Sequence, residues 1–66
     1  MLNIEFYRKR EGMTQAELAD RVFVDQSTVS KWESGENPPR RRLLPLIADA
    51  LGCTVEELTT ERQVSA

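Results

Sequence analysis

Apolar residues along this chain recur at helical spacing, and no stretch alternates as a strand would. Over residues 3–11, Ile4, Tyr7 and Arg8 share one face, with Asn3 placed to cap the start and Gly12 just past the end. Thr14-Gln15-Ala16-Glu17 reads as a capping box opening a second helix, which carries Leu18, Ala19 and Val22. Phe23-Val24-Asp25 breaks that pattern, and Asp25 is a suitable N-cap for a third helix through about Ser34. This helix has two large apolar residues, Val29 and Trp32, and its other face is Gln26, Ser27, Thr28, Ser30 and Lys31. A loop follows at Gly35-Glu36-Asn37-Pro38-Pro39. Pro45 must lie in the first turn of a fourth helix, because its ring and missing N–H bar it from a helix interior. A second capping box, Thr54-Val55-Glu56-Glu57, opens a short fifth helix.

The pattern predicts an all-α fold, a compact five-helix bundle in one domain spanning 1–66. Its ordered part is expected over about 3–58, with residues 61–66 frayed. The expected core is Ile4, Tyr7, Leu18, Ala19, Val22, Val24, Val29, Trp32, Leu43, Leu46, Ile47, Ala50, Leu51, Val55 and Leu58.

Composition narrows the chemistry. With 66 residues there is room for a single domain and little for an enzyme's substrate cavity. No histidine is present, which excludes Ser–His and Cys–His pairs, and the lone Cys53 can neither form an intramolecular disulfide nor assemble a zinc site. No cofactor and no metal are expected. No apolar run approaches the ~20 residues of a membrane span, and the N-terminus lacks a signal-peptide pattern, so a reduced, cytoplasmic protein is expected. The net charge of −2 argues against an indiscriminate polyanion binder, but the charge is uneven. Positive residues bunch at Arg8-Lys9-Arg10 and Arg40-Arg41-Arg42, while residues 43–66 carry one basic against four acidic side chains.

The most specific stretch is QAELADRVFVDQSTVSKWES, residues 15–34. Two short helices joined by a tight turn, with a small Ala19 where they must cross closely, make a helix-turn-helix. Together with TQAELA at 14–19, QSTVSKWESG at 26–35 and LLPLIADALGCTVEEL at 43–58, it resembles the phage repressor and Cro-like helix-turn-helix family of bacterial and phage transcription regulators. The resemblance covers roughly residues 3–58 and implies a lambda-repressor-like DNA-binding fold, with the second and third helices forming the motif.

That resemblance implies roles position by position. Gln26, Ser27 and Lys31 match positions that face base edges in the major groove, where Gln suits adenine and Lys suits guanine. Gln15 matches a Gln that bonds a DNA phosphate, helped by free amides at its helix start. Thr28, Ser30, Arg40 and Arg42 are implied backbone contacts. Arg8 and Glu33 match a partly buried ion pair that fixes the first helix against the third. Position also suggests a dimer surface around Gly52–Leu58, with Cys53, Val55 and Leu58.

Phe23 departs from the family pattern, which usually has Gly in the turn. Either the turn is remodelled or Phe23 recovers the cost of a positive φ through packing, within the chain or at a partner surface. The acidic end is expected to point away from DNA. The implied function is sequence-specific binding of double-stranded operator DNA by a transcription regulator, foremost a repressor acting as a homodimer on a palindrome. The competing class is a protein-interaction module, such as an antitoxin or antirepressor component. The polar outward set on the third helix favours DNA.

Overall fold

A computed structural model of the chain describes residues 3–59, and among these every regular element is helical. The order is α1 (Ile4–Arg10), α2 (Gln15–Arg21), α3 (Gln26–Ser34), a 3₁₀ turn (Arg41–Leu43), α4 (Leu44–Leu51) and α5 (Val55–Thr59). The expected frayed tail at 61–66 lies outside the described residues. The 3₁₀ turn was not foreseen; it turns the chain into α4, with Pro45 in the first turn of that helix.

Both capping boxes form. Thr14 Oγ1 accepts from the Glu17 amide at 3.1 Å while Glu17 Oε1 accepts from the Thr14 amide at 2.8 Å. Thr54 and Glu57 repeat the exchange at 2.9 Å in both directions. Two expected caps differ. Asp25 has the extended N-cap backbone but makes no side-chain cap bond. Asn3 instead ties the chain ends together: its backbone N–H donates to Leu58 O and its Nδ2 to Glu57 O, both at 3.0 Å.

The core is Ile4, Tyr7, Leu18, Ala19, Val22, Val29, Trp32, Ile47, Ala48, Leu51 and Leu58. Three expected members sit differently on the last two helices. At ~100° per residue, the buried arc of α4 is centred on Ile47, Ala48 and Leu51, which turns Leu46 outward and leaves Ala50 half-buried. Ala48 joins the core in their place. The five-residue α5 has one buried position, and Leu58 takes it, so Val55 is exposed. Leu43, like Val24, packs against the core while remaining half-buried.

The turn between α2 and α3 keeps a positive φ of 62° at Phe23, the one non-glycine residue so placed among those described. The phenyl ring is 85% exposed. The turn is therefore not remodelled, and packing within the chain does not offset the strain.

Candidate nucleic-acid interface

α2 and α3 pack on each other through Leu18, Ala19, Val22, Val29 and Trp32, all buried. Ala19 is 3% exposed, so this position has no space for a longer side chain. This packing rotates α3 so that Val29 and Trp32 face inward. Gln26, Ser30, Ser34, Ser27 and Lys31 then fall on an outward arc of roughly 140°, and all five are exposed. Ser34 is occupied locally: its Oγ donates to Lys31 O at 3.2 Å and accepts from the Glu36 amide at 3.3 Å. The remaining four present hydroxyl, amide and ammonium groups to solvent.

Thr28 lies at the edge of that arc and is half-buried. It lines a groove of about 430 Å³ together with Val24, Trp32, Asn37, Pro38, Arg40 and Leu43. The structure thus brings Arg40 alongside α3 although twelve residues separate it from Thr28. In the 3₁₀ turn successive side chains stand ~120° apart; Leu43 faces the core, leaving Arg41 and Arg42 exposed. Arg41, which the resemblance passed over, is as available as Arg42. The signal for it was the geometry of the turn, which the sequence reading lacked.

The two positive bunches differ in what they can offer an anion. Arg8 pairs with Glu33, Lys9 with Glu5 at 3.0 Å, and Arg10 approaches Glu11 at 3.7 Å while lying over the Tyr7 ring at 4.7 Å. Among the described residues, Lys31, Arg40, Arg41 and Arg42 form no such ion pair.

Arg8 and Glu33 form the best-buried polar contact of the fold. Arg8 Nε donates to Glu33 Oε2 at 2.6 Å and Nη2 to Oε1 at 3.0 Å, while Nη1 reaches Met13 O at 2.7 Å. Burial pushes the Glu33 carboxyl up, but the hydrogen bonds from Arg8 and Gln15 and the Arg8 charge outweigh it and hold the group below its ordinary range. The hydrogen bond to Glu33 raises the Arg8 guanidinium in turn.

Gln15 joins this pair. Its Nε2 donates to Glu33 Oε1 at 3.0 Å, a contact the sequence did not suggest. Two amides at the start of α2, those of Thr14 and Glu17, are engaged in the capping box.

Of the expected dimer surface, Leu58 is fully buried and belongs to the core, because α5 has no other residue to anchor it. Val55 is exposed and Cys53 half-buried. Burial pushes the Cys53 thiol up, Glu57 and Glu11 add to this, and Arg10 opposes it. Among the described residues no His, Cys, Asp and Glu cluster could hold a metal ion, and no helix is long and apolar enough to cross a membrane.

Comparison with known proteins agrees with this architecture. The chain is 41% identical over 51 residues to the cryptic phage CTXphi transcriptional repressor RstR of Vibrio cholerae, covering 77% of this chain and 46% of that protein. It is 34% identical over 55 residues to a competence pilus inhibition repressor of Acinetobacter baylyi, covering 83% and 50%. Against the HTH-type transcriptional activator BcrR of Enterococcus faecalis it is 32% identical over 57 residues, covering 86% and 28%. The chain thus spans half or less of the length of these relatives. A family profile described as helix-turn-helix matches residues 4–58, the stretch running from the first residue of α1 to the buried anchor of α5, and the chain belongs to that family.

Proposed function

We propose that this protein is a sequence-specific double-stranded DNA-binding transcription regulator, acting as a repressor by occupying its operator. The observation that carries this reading is the outward face of α3. It offers Gln26, Ser27, Ser30 and Lys31 to solvent, beside three arginines that have no carboxylate partner among the described residues. In this reading Gln26, Ser27 and Lys31 contact base edges in the major groove. Gln15, Thr28, Ser30, Arg40 and Arg42 hold phosphates and fix the register of the helix on the duplex.

One copy reads half a site. A good bidentate base contact discriminates by ~1–3 kcal/mol, so useful specificity calls for two copies on half-sites about one helical turn apart. The dimer surface in this reading is Val55 with Cys53. The acidic residues Asp49, Glu56 and Glu57 lie on α4 and α5, and in this reading those helices face away from the DNA.

Selection from a random duplex pool, followed by anisotropy titration of the winner, tests the reading. The expected result is a palindromic consensus whose recognition is lost in Gln26→Ala and only uniformly weakened in Arg42→Ala. Sedimentation of the complex should give two chains per site, and Val55→Asp should lower that stoichiometry. Failure to enrich any sequence, with weak binding even at low salt, would sink the DNA reading and leave the protein-interaction class.

A further inference from the structure

We infer that Arg8 and Glu33 are positioning residues for a phosphate contact by Gln15, and not only a clamp between helices; this rests on the DNA-binding reading. The juxtaposition joins four parts of the chain: Arg8 on α1, Met13 in the loop before α2, Gln15 at the start of α2 and Glu33 near the end of α3. An ionised carboxylate only accepts hydrogen bonds, so Glu33 decides which end of the Gln15 amide faces it. The nitrogen turns inward to Glu33 Oε1 at 3.0 Å. One N–H is thereby committed, and the second makes no hydrogen bond among the described residues; in this inference it is the one that meets the phosphate.

Glu33 can do this because it is itself held. Both of its oxygens accept from Arg8, at 2.6 and 3.0 Å. The third arm of the guanidinium fixes Met13 O at 2.7 Å, immediately before the Thr14 cap. Every hydrogen-bonding atom of the buried guanidinium is satisfied, so the assembly has one arrangement. A freely rotating glutamine would lose several rotamers on meeting a phosphate, whereas this one has lost them on folding. The same contacts set the distance between Gln15 and the outward face of α3, because Glu33 is a residue of that helix.

The test is a double-mutant cycle in DNA affinity, using a fluorescein-labelled duplex that carries the selected site. All variants are checked by circular dichroism, and each affinity is referred to the folded fraction. Gln15→Ala should weaken binding by roughly tenfold, the loss of one hydrogen bond to a charged group. Its salt slope should stay unchanged, because no cation is removed. Arg8→Lys keeps the charge but cannot hold both carboxylate oxygens. It should weaken binding several-fold in the native background and not at all in the Gln15→Ala background. If Arg8→Lys does not fold, Glu33→Asp replaces it, drawing the carboxylate back from Gln15 by one methylene. In the free protein, Glu33→Asp should also shift the side-chain amide resonances of Gln15. Equal weakening in both backgrounds overturns the positioning role. So does full-strength binding by Gln15→Ala while Gln26→Ala fails to bind, a result that leaves the DNA reading standing. If the unaltered protein itself does not bind the selected duplex, both inferences fall together.

Discussion

Phe23 closes α2 with the backbone geometry by which Gly35 closes α3. Phe23 has φ 62° and Gly35 has φ 83°. In each case the next amide reaches back five residues: Val24 N–H to Ala19 O at 2.9 Å, and Glu36 N–H to Lys31 O at 3.0 Å. This left-handed closure suits glycine because no Cβ crowds the carbonyl, and a bulky side chain there is strained by about 1 kcal/mol or more. The phenyl ring, largely in solvent, returns little of that within the chain. Phe23→Gly should therefore stabilise the fold, even after the added freedom of the unfolded chain, by about 0.5–1 kcal/mol. In a domain of this size a full 1 kcal/mol raises Tm by roughly 4–8 °C. Phe23→Asn should move the same way, since Asn tolerates this conformation. A lower Tm in both variants would show that the ring contributes packing after all.

Acid should loosen the tie between α1 and α3. The Glu33 carboxyl is held below its ordinary value of 4.5, so the unfolded chain takes up that proton more readily than the native one. Its contribution is complete above the unfolded value and is lost as pH falls through the native one. Thermal melts should show Tm level down to about pH 5 and declining below it. Glu33→Gln should cost most at neutral pH, with the gap to the unaltered protein narrowing in acid.

Removing one partner of the pair is a harsher test than titrating it. Arg8→Ala strands a buried carboxylate, a change costing roughly 3 kcal/mol or more. A domain with ~0.05–0.15 kcal/mol of stability per residue would lose a large share of the total. Urea denaturation should give a lower midpoint, whereas Lys9→Ala, which breaks only an exposed pair, should change the unfolding free energy by less than about 0.5 kcal/mol.

The two bunches of basic residues should separate in the salt dependence of DNA binding. Arg40→Ala and Arg42→Ala should each reduce the slope of log K against log salt by about one. Arg10→Ala should leave it nearly unchanged, because Arg10 lies over Tyr7 and beside Glu11. Equal reductions from both bunches would show that the α1 cations also meet the phosphates.

Small residues at helix crossings should resist enlargement. Ala19, between α2 and α3, and Ala48, on α4, are each 3% exposed. Leu at either site should destabilise by about 1–3 kcal/mol through overpacking, read from chemical denaturation. Ala19→Leu should also weaken DNA binding, since it alters the angle at which α3 is presented.

By itself the sequence determined the local structure. The capping boxes at Thr14 and Thr54, the stops at Gly12, Gly35 and Gly52, and the spacing of Leu18, Ala19, Val22, Val29 and Trp32 are all short-range signals. They act over three to five residues, within the reach of backbone hydrogen bonds and helical periodicity. They were enough to place every α-helix and to show the outward polar face of α3. What depends on distant parts of the chain was decided only by tertiary structure. The sequence pointed to Leu46, Ile47, Ala50 and Leu51 as the core residues of α4, and the packing of the bundle instead buried Ile47, Ala48 and Leu51, leaving Leu46 exposed and Ala50 half-buried. The resemblance implied the Arg8–Glu33 pair, and the i,i+4 spacing of Glu5 and Lys9 is local. Only the tertiary structure showed that the guanidinium of Arg8 also holds Met13 O and that Arg40 lies in the groove beside Thr28. Gln15 meets Glu33 across eighteen residues, a contact no local pattern encodes because it exists only once α2 and α3 have crossed.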